Sequence, residues 1–337
     1  MLCTRRDAGR IALAALPLAR SLGAPGSRIH GVQIGVITYS FRGIRDLDEI
    51  IKAIVQIGIN AVELMSNSAE TAAGAPSFSP FGPGRRPGES GGPGGQRTPG
   101  APGGGPPTPE QMAAFRARMN SPEAQKAREE LRQWRLSASM DKFKDVLKKF
   151  DAAGLDLSLL CFNMDQSITG DEIDYAFQMA KALGARAITS STQVSVAKRV
   201  APFADKHKMM VGYHGHDNVN DPNEFATLDS FAAAMSYSAY NGINLDIGHF
   251  TASNLDPIGY LKAHHGRITN VHLKDRKRDH GPNTPWGQGD TPIREVLQLM
   301  KAEKYPFPAN IEYEYRGEAD AVTEVAKCFQ YCKEALG

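Results

Sequence analysis

The sequence predicts an α/β fold, a (β/α)8 TIM barrel, from two features of the chain. From Val32 onward, short apolar segments alternate with helix-like segments, which is the pattern of a parallel α/β fold. In the C-terminal part, four successive apolar segments each end in a histidine or a carboxylate. The loops that follow the parallel strands of a barrel converge on one face, so residues at these positions meet there.

Eight strands can be placed in order along the chain. The first two are short apolar segments, and the next two are apolar on both faces, as in Leu-Ser-Leu-Leu-Cys-Phe, because barrel strands are buried between the interior and the helices. The last four end at the candidate site residues described below. The predicted strands are 32–39, 61–65, 155–162, 185–190, 209–214, 243–246, 268–273 and 309–313.

Eight helices follow these strands. Several of them end at a glycine, namely Gly58, Gly154 and Gly184, which supplies the left-handed residue that closes a helix and turns the chain towards the next strand. The predicted helices are 47–57, 141–153, 171–183, 194–206, 228–239, 257–263, 293–303 and 319–336.

A long insertion, residues 66–140, separates the second strand from the second predicted helix. Its first half, 72–109, is dominated by Gly and Pro and cannot bury enough apolar surface to offset its ordering entropy, so we expect it to be disordered or loosely ordered. Its second half, 109–135, is rich in Ala, Glu, Gln and Arg and is expected to be helical. The insertion follows a strand and so lies on the catalytic face, where both a lid or interaction arm and a tolerated loop expansion remain open.

Composition favours neither nucleic acid nor a membrane as partner. The formal net charge is +2, and no apolar run approaches the roughly 18 residues that a membrane span requires. The spacing of Cys3, Cys161, Cys328 and Cys332 matches neither a zinc site nor a disulfide framework. A small-molecule partner is therefore expected, and association into homo-oligomers is left open.

The N-terminal segment, residues 1–28, resembles a twin-arginine export signal. Arg5 and Arg6 precede a weakly apolar stretch that ends in small residues, although the usual Phe-Leu after the arginines is replaced by Asp7 and Ala8. The alternative is a disordered basic tail. We therefore expect the barrel to comprise residues 29–337 and the protein to be periplasmic, or cytoplasmic if the signal is not functional.

Two residues are candidate metal ligands because of their positions in the predicted strands. Asp246 ends an apolar strand, and a buried carboxylate is costly unless it is paired or bound to a metal; its alternative role is to cap a helix. His272 lies inside a strand, where a lone histidine is usually a satisfied core residue. Its expected neighbours on the adjacent strands, Asp246 and Glu312, favour ligation instead.

Two further ligands come from pairs of residues that lie two apart and therefore on one face of a strand. Spacing alone does not choose between Glu312 and Glu314, or between His214 and His216. We take Glu312, the deeper glutamate, and His214 as the ligands. Glu314 is then expected nearer the rim, where it contacts substrate or supports a ligand, and His216 is expected to reach substrate.

The remaining candidates are expected to contact substrate, and the ligand set points to a divalent cation. His249 lies on the loop three residues after Asp246, and Lys274 shares a strand face with His272 and is suited to anchor an anionic or hydroxyl group. Imidazole and carboxylate ligands without a thiolate suit Mn²⁺, Co²⁺, Zn²⁺, Fe²⁺ or Mg²⁺. Such a cation stabilises an enediolate when a side chain removes the proton next to a carbonyl.

These motifs resemble the sugar phosphate isomerase/epimerase superfamily, the xylose isomerase-like barrels. The matching runs are I-G-V-I-T-Y-S-F, A-V-E-L-M, Y-H-G-H, L-D-I-G-H, V-H-L-K-D and I-E-Y-E, which cover the barrel but not the insertion. The resemblance implies that His249 contacts substrate and that Glu63, in the second strand, does so as well. It also implies a metal site on strands five to eight, here His214, Asp246, His272 and Glu312.

One departure from the family bears on mechanism. Epimerases of this family usually carry Glu at the strand-five position, where this chain has His214, as in a Y-H-N-H-type subgroup. This weakens a mechanism in which two glutamates exchange protons on opposite faces of the substrate. It leaves Glu312 with His214 or His216 as the catalytic base and acid.

The sequence therefore predicts a divalent-metal-dependent isomerase or epimerase of a carbohydrate, either a sugar or a cyclitol, which removes a proton next to a carbonyl and proceeds through an enediolate. One alternative is an exported lyase or hydrolase that cleaves 3-keto-glycosides by the same enolate chemistry. Another is a non-catalytic sugar-binding barrel. An isomerase gives a product of equal mass, whereas a lyase gives two fragments.

Overall fold

The computed structural model describes residues 26–76, 117 and 121–337. The expected export signal lies almost wholly outside the described residues. The same holds for the Gly/Pro-rich half of the predicted insertion beyond residue 76 and, apart from residue 117, for its predicted helical half up to residue 120.

Eight parallel strands form a closed barrel in chain order, because the first strand pairs with the eighth as well as with the second. This confirms the predicted TIM barrel. A two-residue strand, Arg28–Ile29, precedes the barrel and pairs with its first strand in the antiparallel sense. The barrel strands are β1 (Val32–Ile37), β2 (Ala61–Met65), β3 (Asp156–Cys161), β4 (Ala187–Ser190), β5 (Met210–His214), β6 (Asn241–Asp246), β7 (Ile268–Leu273) and β8 (Ala309–Ile311).

The eight predicted helices begin and end within about two residues of their predicted positions, and the barrel carries further short helices that were not predicted. None of those in the described part of the chain is both long and apolar enough to cross a membrane. The described helices are α1 (Leu47–Ile57), α2 (Ser66–Ala72), α3 (Pro122–Ser137), α4 (Asp141–Ala152), α5 (Gly170–Ala182), α6 (Val194–His207), α7 (Leu228–Tyr237), α8 (Ile247–Ala252), α9 (Pro257–His264), α10 (Ile293–Glu303) and α11 (Ala321–Leu336).

Local sequence signals set the bounds of these helices. At the start of α1, the side chain of Asp46 accepts hydrogen bonds from main-chain N–H groups of the first turn. At its end, Gly58 adopts a left-handed conformation with φ of 88° and terminates the helix. In α5, Thr169 and Glu172 form a reciprocal capping box. The sequence pattern therefore fixes both the helix and the turn that leads into the next strand.

Two local differences from the predicted elements affect the site. The regular pairing of β8 ends at Ile311 rather than at residue 313, because the main-chain N–H of Tyr313 donates to Oγ of Ser40 instead of to the neighbouring strand. The short helix α8, which the pattern did not predict, begins directly after Asp246, whose side chain accepts the N–H of His249 at 2.7 Å.

The helix α3, in the predicted helical half of the insertion, is fixed to the barrel by a buried ion-pair network. Arg135 donates to both carboxylate oxygens of Glu70 in α2, at 2.8 and 3.1 Å, and to Glu172 in α5 at 3.0 Å. Its guanidinium also lies 4.9 Å from the ring centroid of Phe162. Because α3 shares these contacts with two barrel helices, it is part of the folded body.

Candidate metal centre

The structure brings the four predicted ligands together at the C-terminal ends of β5 to β8. Parallel pairing places Asp246 directly opposite His272, and Glu312 follows the last residue of β8. The ligand atoms of the four residues all lie within 4.8 Å of one another, and all four side chains are buried. The four residues are His214, Asp246, His272 and Glu312.

Each ligand presents a defined atom to the cluster. Nε2 of His214 lies 3.4 Å from both Oδ2 of Asp246 and Oε2 of Glu312, and Nδ1 of His272 lies 2.9 Å from the same oxygen of Glu312. The two carboxylate oxygens of Asp246 have different surroundings. Oδ1 caps helix α8, while Oδ2 is buried and receives no hydrogen bond.

Lys274 adds a cation at the side of the cluster. Its Nζ lies 3.0 Å from Oδ2 of Asp246, 3.0 Å from Oε2 of Glu312 and 2.6 Å from Oε2 of Glu314. Burial alone would lower the pKa of Lys274, but the three carboxylates raise this pKa well above its usual value. The ammonium group is therefore retained, and Lys274 connects the predicted ligands to Glu314.

A layer of asparagines lies beneath the cluster. Asn244, Asn270 and Asn310 each precede a ligand by two residues and so point to the same side of their strands, as in the stacked interior layers of a barrel. All three are buried. Gly35 makes room for this layer, since a Cβ at this position would lie 2.1 Å from Oδ1 of Asn310.

Glu63 occupies the centre of this layer and is fully buried. Its Oε2 accepts hydrogen bonds from Asn270 at 3.1 Å and Asn310 at 2.7 Å, and lies 2.7 Å from Nε2 of His272. Thr189 donates to Oε1. Burial would raise the pKa of Glu63, but His272, Thr189 and Asn310 lower it below its usual value. The predicted substrate residue Glu63 thus lies below the cavity, in contact with a candidate ligand.

The chemistry of this donor set fits a divalent cation. Two imidazole nitrogens and two carboxylate oxygens converge, and Oδ2 of Asp246 is a buried oxygen that makes no aligned hydrogen bond, although Nζ of Lys274 lies 3.0 Å away. A cation also fits the local charge, because the carboxylates in, below and beside the cluster outnumber the ammonium group of Lys274. These carboxylates are Glu63, Asp246, Glu312 and Glu314.

A cavity of about 220 Å³ opens directly above the cluster. The predicted substrate residues His216, His249, Lys274 and Glu314 line it together with three of the ligands, and Glu63 does not. Nε2 of His216 lies 2.9 Å from Oγ of Ser191, which also lines the cavity. All the predicted site residues except Asp246 and Glu63 therefore line one space.

His249 is held on one side by a pair of charged residues. Its Nδ1 lies 2.6 Å from a guanidinium nitrogen of Arg276 and 3.3 Å from Oδ1 of Asp217. Burial, followed by the charge of Lys274, lowers the pKa of His249 to about 4. The imidazole is therefore neutral at neutral pH.

Several residues of the site were not identified from the sequence. Tyr39, Asn163 and Ser191 come from loops after β1, β3 and β4, where no charged motif marks them. By contrast, the asparagine layer had a signal: the sequence repeats Asn-x-ligand three times, as N-L-D, N-V-H and N-I-E. Burial raises the pKa of Tyr39 to about 12, so its hydroxyl is protonated.

The comparisons with known proteins agree with this arrangement. Residues 117–332, more than half of the chain, match the model of the family described as the xylose isomerase-like TIM barrel. Among curated relatives, the chain is 29% identical over 118 residues to an L-ribulose-5-phosphate 3-epimerase, UlaE, from Escherichia coli. This match covers 34% of the chain and 42% of the length of the relative.

Solved structures share the fold at low sequence identity. A sugar phosphate isomerase/epimerase from Parabacteroides distasonis is 14% identical, with a TM-score of 0.54 over 95% of this chain and 99% of that one. A structure of the IolI protein with a bound zinc atom is 11% identical, with a TM-score of 0.53 over 90% of this chain and 96% of that one. At these identities the likeness concerns the barrel itself.

Proposed function

Because the chain belongs to the xylose isomerase-like TIM barrel family, we propose that it is a divalent-metal-dependent isomerase or epimerase of an uncharged sugar or cyclitol. The observation that carries this proposal is the convergence of four buried ligand atoms within 4.8 Å at the floor of a cavity. The sugar-phosphate epimerase activity of the relatives supports the reaction class.

The metal would be held by His214, Asp246, His272 and Glu312. When bound, it would stabilise the negative charge that develops on a carbonyl oxygen as the neighbouring proton is removed. Glu63 would orient His272 from below, since a carboxylate that accepts the second N–H of a ligating imidazole fixes the ring and raises its basicity.

Glu312 is the proposed base. The contacts of its carboxylate with His214, His272 and Lys274 involve Oε2, so Oε1 is the oxygen left for the substrate. Burial would raise the pKa of Glu312, but the charges of Lys274 and His272 lower it well below the usual value. Glu312 is therefore ionised, as a base must be before it accepts a proton, although the lowered pKa makes it a weaker base than an ordinary carboxylate.

His216 is the proposed acid, which donates its own proton to the substrate after Glu312 has accepted one. Nε2 of His214 faces the ligand cluster, and a nitrogen bound to a metal carries no proton to donate. His216 lines the same cavity without contributing to the cluster, and its ring centroid lies 5.0 Å from that of His214. With His216 as the acid, His214 can bind the metal through Nε2 while His216 donates the proton.

The charge of the cavity favours an uncharged substrate. Within the described part of the chain, Lys274 is the one Lys or Arg that lines the cavity, and its Nζ already contacts three carboxylates. Apart from the proposed metal, a phosphate dianion would meet Glu312 and Glu314 with no unpaired cationic side chain in the cavity lining to offset their charge. This distinguishes the proposed substrate from the phosphorylated sugar in the name of the UlaE relatives.

The test is an exchange assay in D2O with the purified chain and added Mn²⁺ or Co²⁺. Neutral ketoses, aldoses and inososes are compared with their phosphates, and products are read by mass and NMR. We expect deuterium at the carbon next to the carbonyl and a product that is otherwise an isomer. The variant Glu312→Gln should lose exchange, whereas the exposed Glu303→Gln should keep it.

Three outcomes would contradict all or part of the proposal. Cleavage of a keto-glycoside into two fragments without isomer formation would indicate a lyase. Tight sugar binding that Glu312→Gln leaves intact, with no deuterium incorporated from any substrate, would indicate a binding protein. Faster turnover of a sugar phosphate than of the free sugar would contradict the proposal that the substrate is uncharged, but it would not contradict the proposed reaction class.

A further inference from the structure

Arg276 and Asp217 form a polar support for His249. Neither residue lines the cavity, whereas His249 does. A guanidinium nitrogen of Arg276, Nη1, lies 2.6 Å from Nδ1 of His249. Asp217 accepts a hydrogen bond from the other terminal nitrogen of Arg276, Nη2, at 2.9 Å through Oδ2.

This contact determines the tautomer of His249. A guanidinium has N–H donors and no acceptor, so a hydrogen bond to Nδ1 requires a lone pair on that nitrogen. The proton of the neutral imidazole then lies on Nε2. Oδ1 of Asp217 favours the opposite tautomer, but at 3.3 Å from Nδ1 it is the more distant partner, and the shorter contact decides.

The guanidinium of Arg276 is itself fixed in place. Its Nε and Nη2 donate to the carbonyl of Gly281 at 3.2 and 2.8 Å, and the side chain is almost fully buried. The turn that brings this carbonyl back to Arg276 requires glycine, because a Cβ at Gly281 would lie 2.4 Å from Cβ of Lys277. Arg276 therefore cannot move away from His249 without leaving buried donors unpaired.

We propose that Arg276 is a positioning residue that fixes His249 as the Nε2–H tautomer, so that His249 presents an N–H donor to an oxygen of the substrate. Asp217 holds Arg276 in place and does not itself select the tautomer. The part of this proposal that concerns substrate rests on the proposed function. The tautomer and its cause belong to the free protein and stand apart from any reaction.

The test is the ¹⁵N NMR spectrum of the full chain with labelled histidine, recorded without metal and with the diamagnetic ion Zn²⁺. The chain has nine histidines, and loss of one spin system in His249→Asn assigns the signal. We expect His249 to show a protonated Nε2 and an unprotonated Nδ1. A protonated Nδ1 in the wild-type protein would overturn the proposal without recourse to any variant.

Three variants then test the cause. In Arg276→Met the remaining partner of Nδ1 is Asp217, so we expect the proton to move to Nδ1. Arg276→Lys keeps a donor and should restore the Nε2–H form, and Asp217→Asn should retain it. An unchanged tautomer in Arg276→Met, or a switch in Asp217→Asn alone, would assign the selection to another group.

Activity separates this proposal from the proposed function. With a substrate found in the exchange assay, Arg276→Met should lower kcat/KM by about tenfold, the effect of one lost hydrogen bond to the substrate, and Arg276→Lys should recover part of it. A chain with the expected tautomer but no isomerase activity would refute the proposed function alone. An active chain with the opposite tautomer would refute this inference alone.

Discussion

Oε2 of Glu63 lies 2.7 Å from Nε2 of His272, and both side chains are almost completely excluded from solvent. The other ring nitrogen, Nδ1, faces Glu312 in the ligand cluster. A carboxylate below, an imidazole between and a candidate metal site above match the triad that orients ligating histidines in many metalloproteins. Glu63 thus contributes to the site through His272 and does not line the cavity.

The first prediction concerns this carboxylate. Glu63→Gln keeps the size of the side chain but removes the charge that fixes the ring of His272, so metal affinity should fall about 10- to 100-fold. The affinity is measured by titration of the metal-free protein with Zn²⁺ or Co²⁺. An affinity equal to that of the wild type, in a variant that unfolds cooperatively, would show that Glu63 has only a structural role.

The second prediction concerns the ligands. Asp246→Ala or His272→Ala should lose the bound metal, and added metal should no longer raise Tm, because a ligand that binds only the folded state stabilises it by mass action. His216→Ala is the matched control, since it removes an imidazole from the cavity but not from the cluster. Metal content is read by elemental analysis. Full metal occupancy in both ligand variants would show that these residues do not form the metal site.

The cluster was predictable from the sequence because the side-chain period of a strand is fixed. Once Asp246 and His272 are placed at the ends of parallel strands, their side chains must point to the barrel interior at one height. The choice of Glu312 over Glu314 rested on depth, and the structure places Glu312 in the cluster while Glu314 contacts Lys274 at the side.

Other features depend on contacts that no local pattern specifies. Glu63 is separated from its partner Asn310 by 247 positions, so its place beneath the cluster follows only from closure of the barrel. The pairing of Arg276 with Asp217 joins two loops 59 residues apart. The early end of β8 reflects a side chain from the first loop, Ser40, which replaces a strand partner. Such long-range contacts are decided by tertiary packing.

The third prediction concerns the attachment of α3. In Arg135→Met the carboxylates of Glu70 and Glu172 lose a buried partner, so the free energy of unfolding should fall by about 3 kcal/mol, the cost of breaking a buried ion pair from one side. Urea unfolding measures this loss. Arg186→Met is the control, because its ion pair with Asp156 is exposed and should contribute less than about 1 kcal/mol.

A small loss of stability in Arg135→Met would contradict this prediction. Glu172 keeps a second partner in Arg132 at 3.0 Å, and Tyr175 still donates to Glu70. If Arg135→Met costs no more than Arg186→Met, these remaining contacts suffice for both carboxylates. The helix α3 would then be held by its apolar contacts, such as the edge-on packing of Trp134 against Phe143.

The fourth prediction concerns the dependence of stability on pH, at a carboxylate remote from the site. Burial would raise the pKa of Asp174, but hydrogen bonds from Lys206, His207 and Gln178 lower it from 3.8 to about 2. A carboxyl whose pKa is lower in the folded state stabilises the protein above the pKa of the unfolded state. This stabilisation is lost as the pH falls through the folded-state value.

Asp174→Asn should therefore lower the free energy of unfolding by about 1 kcal/mol at pH 7, after allowance for solvent screening of this partly exposed group. The difference from the wild type should persist down to about pH 4 and vanish as the pH approaches 2. Chemical unfolding at a series of pH values measures it. Asp145→Asn, in an exposed pair with Lys148, is the control and should show a smaller difference throughout. A difference for Asp174→Asn that is the same at pH 2 and pH 7 would mean that its charge is not the source of the stabilisation.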